Sequence, residues 1–75
     1  MDEIGERFLE WVYAEAGGSP DLLLPGAPIG ASLGLDENQS AILAKRVADE
    51  GYLNWHMGNF VNLTTAGIAR VRAAE

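Results

Sequence analysis

Apolar residues recur at helical spacing through residues 2–16. Ile4, Phe8, Trp11 and Val12 fall on one stripe that runs on to Glu15, and Leu9 widens it. Asp2 and Glu3 stand where the positive end of the helix dipole favours acids. Gly17-Gly18 stops this first helix, because glycine adopts the left-handed cap conformation without strain. A second helical pattern covers residues 36–50. Asp36 supplies an N-cap and Gln39 completes a capping box. Helical stepping puts Ser40, Leu43, Ala44 and Val47 on one face and Asn38, Ile42, Lys45 and Asp49 on the other, with Ala41 and Arg46 at the flanks. Gly51 ends it.

The period then changes to two. Leu53 and Trp55 alternate with Asn54 and His56, and beyond Met57-Gly58-Asn59 a second alternation runs from Phe60 to Thr64. This predicts a hairpin with Leu53, Val61 and Leu63 inward and Trp55 packed beneath it. An exposed stacking surface is the alternative for Trp55. Thr64 or Thr65 caps a last helix over 65–74, with Ile68 and Val71 inward. Between the first two long helices, residues 28–34 predict a short helix with Pro28 in its first turn. Residues 17–27 carry too many glycines and prolines for a helix, yet Leu22-Leu23-Leu24 is too apolar for a solvated loop. The segment reads as a connection or short strand over the core, or else as an exposed apolar lip.

At 75 residues the chain makes one domain, 1–75, and 48% apolar content supplies its core. The fold class this predicts is mainly α with a small β-hairpin. The absence of cysteine fits a reducing compartment, and the acidic N-terminus is the wrong sign for a targeting peptide, so a cytoplasmic protein with no membrane segment is expected. The net charge of −6 is uneven: residues 1–37 hold eight acids against Arg7, a net of −7, and residues 38–75 hold four bases against three acids, a net of +1.

The stretches LGLDENQS, LAKRVADEGYL and FVNLTTAGIARV resemble the winged helix-turn-helix superfamily, and within it the MarR-like DNA-binding domains. The resemblance covers residues 28–72. It implies a three-helix core, a hairpin wing and a short closing helix, with transcriptional regulation as the function. It implies that the helix over 36–50 enters the major groove of duplex DNA while the wing, 52–64, meets the adjacent minor groove or backbone. Carried over by position, Asn38, Gln39, Ala41, Ile42 and Lys45 read bases, Lys45 and Arg46 meet phosphates, and Asn54, His56 and Asn59 lie on the wing.

The sequence departs from that pattern at points that matter physically. The wing carries no Lys or Arg, Ile42 stands where a polar or basic residue is usual, and Asp36 and Glu37 occupy a helix start that would otherwise welcome phosphate. Long dimerisation helices are absent. Lys45, Arg46 and Arg70 or Arg72 offer fewer than the ~6–10 phosphate contacts that drive strong binding. The second expectation is therefore a protein-interaction module on the same fold, a homodimer or a partner's receptor. It would use Ile42, the Leu22–Leu24 lip and the acidic first helix, with no direct DNA contact. The two readings divide on whether Lys45, Arg46, Arg70 and Arg72 converge away from the acids of the first helix. Catalysis is not expected: no serine or acid has an evident histidine partner, and the glycines fit no phosphate-binding motif. No cofactor is implied, and His56, the single histidine, lacks partners at metal-ligand spacing.

Overall fold

The computed structural model describes residues 1–75. Four helices and a three-stranded antiparallel sheet follow in the order α1 (Glu3–Ala16), β1 (Leu24–Pro25), α2 (Gly26–Ser32), α3 (Glu37–Asp49), β2 (Leu53–His56), β3 (Phe60–Leu63) and α4 (Thr65–Ala73). No helix is long and apolar enough to cross a membrane.

Local chemistry sets most of the boundaries. Asp2 caps α1 by accepting from the Gly5 N–H at 3.0 Å, and Gly17 closes it with φ at 61°. At α3 the capping box is complete: the Asp36 carboxylate accepts from the Gln39 N–H at 2.8 Å, and the Gln39 side chain accepts from the Asp36 N–H at 3.0 Å. Thr64, rather than Thr65, caps α4 through the Gly67 N–H. Its hydroxyl also donates to the Gly51 carbonyl at 2.7 Å, which ties the start of the hairpin to its end.

The core forms where α1, α3 and the inner face of the sheet meet. Phe8, Leu9, Val12, Leu43, Ala44, Val47, Leu53, Val61 and Leu63 are all buried there. The buried face of α3 is the expected one, Ser40, Leu43, Ala44 and Val47. That of α1 is rotated from the expected stripe. Gly5, Phe8, Leu9, Val12 and Ala16 face inward, while Trp11 and Glu15 are exposed. The reason is geometric: residues 5, 8, 9, 12 and 16 form one continuous arc at 100° per residue, and Trp11 falls outside it.

Strand β3 lies in the middle of the sheet, in the order β1-β3-β2. β2 pairs with it in the register Leu53 to Leu63 and Trp55 to Val61. β1 adds Leu24 opposite Val61, so the segment after α1 contributes a short strand that widens the expected hairpin to three strands. The same segment also presents a lip, since Leu22 and Leu23 remain exposed.

The turn between β2 and β3 is fixed by Asn59, the one non-glycine residue with positive φ, at 59°. Its carbonyl accepts from the Gly26 N–H at 2.7 Å, and its side-chain oxygen accepts from the Trp55 indole at 2.9 Å. Its amide reaches the Ser40 hydroxyl at 3.4 Å, and that hydroxyl donates to the Gly26 carbonyl at 2.8 Å. One residue thus fastens the hairpin turn to the start of α2 and to α3. Asparagine suits the position because it tolerates the left-handed region and carries both a donor and an acceptor.

Candidate recognition face

The outer face of α3 and the adjoining hairpin form a continuous surface. Asn38 and Ala41 line a depression shared with Gly58 and Asn59. One turn further on, Lys45 and Asp49 line a second depression shared with Asn54 and Trp55. Ile42, between them on the helix, is 58% exposed. Met57, between Trp55 and Gly58 at the hairpin tip, is 90% exposed.

The expected recognition residues fall into two groups. Asn38, Ile42, Lys45, Asn54 and His56 are exposed, and Ala41 is half-buried on α3. His56 is bonded to Asn62 across the hairpin at 2.7 Å. Gln39, Arg46 and Asn59 are engaged within the fold. Gln39 completes the α3 cap, and Asn59 holds the hairpin turn as described above. Arg46 pairs with both carboxylate oxygens of Asp2, at 2.8 and 2.7 Å. Arg46 and Asn59 thus have partners that lie far away in sequence and could not be read from local pattern, and Arg46 remains exposed within its ion pair.

Electrostatics shapes the face more than any single side chain. Arg70 is bound by Glu6, with its Nε at 3.1 Å from the carboxylate. The hydrogen bond and charge of Glu6 raise the Arg70 pKa above its ordinary value. Arg72 donates to the Tyr13 hydroxyl at 3.3 Å, and this bond likewise raises its pKa. Arg7 pairs with Glu3 at 2.9 Å. Arg46 and Arg70 are therefore turned toward acids at the start of α1 instead of converging with Lys45. Lys45 alone among the bases points over the recognition face, and its Nζ stands 4.3 Å from the centroid of the Trp55 ring. Trp55 is half-buried: Lys45 stands over its ring, its indole N–H donates to Asn59, and it packs against the core. Glu37 and Asp49, exposed near the two ends of α3, outnumber this one lysine.

Sequence reasoning missed Met57. It sits in the turn, outside either alternation, and a residue at a hairpin tip has no facing layer to bury it. No protein-family model, curated protein or solved structure matches this chain.

Proposed function

We propose that this chain is a winged helix domain that recognises another protein through its α3–hairpin face. The element order and the hairpin between α3 and α4 support the winged helix reading, with β2 and β3 as the wing. The functional reading rests on one observation. The α3 face where a winged helix would meet DNA exposes Ile42 and carries Lys45 as its one cation outside an ion pair, while Arg46 and Arg70 are held by Asp2 and Glu6. An exposed aliphatic anchor, asparagine amides beside it and more acids than bases match a protein interface better than a polyphosphate site.

Ile42 is the expected anchor. Ile42→Asp should weaken partner capture or self-association by about 30-fold, the equivalent of a ~2 kcal/mol hot spot. Because Ile42 is exposed, the thermal midpoint should stay nearly unchanged, as circular dichroism would record. Undiminished association of the folded variant would remove this face from the account.

A second reading has a specific observation behind it. Asn38, Ile42 and Lys45 all face solvent on α3 beside the hairpin, the position from which MarR-like domains read duplex DNA in transcriptional regulation. In that reading Ile42 meets a thymine methyl and Lys45 a phosphate. One free cation corresponds to a log–log salt slope of about −0.9, so a single domain would hold DNA weakly.

A further inference from the structure

The outward side of α1 meets α2 and β1 along a groove that shares no lining residue with the depressions of the α3–hairpin face. Trp11 and Ser32 line both of its parts. At one end, Trp11, Leu24, Pro25 and Pro28 border a depression of about 160 Å³. That is close to the ~150 Å³ that accommodates a benzene ring, so it takes one aliphatic or aromatic side chain. Trp11 is 42% exposed here, although the inward face of α1 is filled by smaller residues. Leu22 and Leu23, also exposed, lie immediately before the β1 residue that borders the depression.

The charge around this groove is of one sign. Glu10 and Glu15 line it, are exposed, and belong to none of the four ion pairs of the fold. Arg7 is the one cation on its border, and Glu3 already neutralises it at 2.9 Å. A second copy of this chain is a poor occupant. A two-fold contact through the groove would set these unpaired acids against themselves. The complement is a positively charged chain with an apolar side chain to bury.

We infer that the groove docks a cationic segment of a partner protein. One apolar side chain enters the depression beside Trp11, with Lys or Arg flanking it toward Glu10 and Glu15. This site stands apart from the α3 reading, and either can fail without the other.

The probe is a fluorescein-labelled, capped peptide of lysines around a single leucine, followed by anisotropy at low salt. Saturable binding is expected, and replacing its leucine with serine or its lysines with glutamates should abolish it. Trp11→Ala should weaken binding about tenfold or more, as expected for an aromatic anchor. Glu10→Gln with Glu15→Gln should weaken it about fivefold, whereas the charge-matched pair Glu37→Gln with Asp49→Asn should leave it within about twofold. Circular dichroism of each variant checks that the fold is retained before affinities are compared. Absent binding, undiminished binding to the Trp11 variant, undiminished binding of the serine peptide, or equal losses in the two charge-matched pairs would overturn the site. The last result would mean that bulk attraction, not the groove, holds the peptide.

Discussion

Replacing Gly67 with alanine should remove about 3 kcal/mol or more of unfolding free energy, the upper end of what overpacking costs. Helix propensity alone gives the opposite sign, since alanine is favoured over glycine in a helix by about 1 kcal/mol. Packing decides the outcome. A Cβ on Gly67 would lie 3.0 Å from the Tyr52 carbonyl carbon and nearer still to its oxygen. Both are backbone atoms, and no rotamer change can clear them. The same carbonyl accepts from the Thr64 N–H at 3.4 Å, so moving it also disturbs the closure of the hairpin. A domain of this size has about 4–11 kcal/mol in total. The loss should therefore appear as a fall of about 12–24 °C in thermal midpoint. A midpoint equal to or above that of the parent would show that α4 does not dock on Tyr52 in this way.

Gly30→Ala should cost about 2–3 kcal/mol for a related reason at the α2–α3 corner. A Cβ there would sit 3.2 Å from the Ser40 Cα and closer to its Cβ and hydroxyl. Rotating the serine hydroxyl aside leaves the Cβ in place, so the helices must separate and loosen the bond from Ser40 to the Gly26 carbonyl. A double-mutant cycle isolates the steric part. Ser40→Gly is itself destabilising, because it loses that buried hydrogen bond and adds a helical glycine. In its background, however, Gly30→Ala should cost little, because the obstructing Cβ is gone. Urea unfolding of the parent, both single variants and the double should show the double losing clearly less than the sum of the two single losses. Simple additivity would mean that the two residues do not touch.

The parts of this fold that were legible in the sequence are those fixed by local chemistry. Asp36 and Gln39 announce the start of α3, Gly51 announces its end, and the period-two pattern from Leu53 to Leu63 gives the hairpin and its inward residues. The parts that were not legible depend on distant partners. Leu24-Pro25 becomes a strand because Val61 and Phe60 lie beside it, and two residues have no period to detect. The charge count located the acids in the first half of the chain, but it could not pair Asp2 with Arg46 or Glu6 with Arg70. Those ion pairs span 44 and 64 residues. They bear most directly on the candidate site, because they withdraw arginines that charge counting would otherwise assign to a nucleic-acid contact. Trp11 went astray for a related reason: periodicity identifies an apolar stripe, and only the packing of α1 on its neighbours decides which edge of the stripe stays outside.

Exposed ion pairs contribute little to stability, typically about 0–1 kcal/mol each. Their consequence here is directional, since they hold guanidinium groups beside α1 and leave Lys45 alone on the α3–hairpin face. The direct test is the anisotropy of a fluorescent mixed-sequence duplex titrated with the protein at about 50 mM and about 200 mM salt, a range over which phosphate-driven affinity changes steeply. The account predicts no saturable binding up to about 100 μM protein, the weak end of ordinary non-specific affinity. Saturable binding with a log–log salt slope of about −2 or steeper would contradict it, because two or more phosphates would then be neutralised by cations that the fold holds elsewhere.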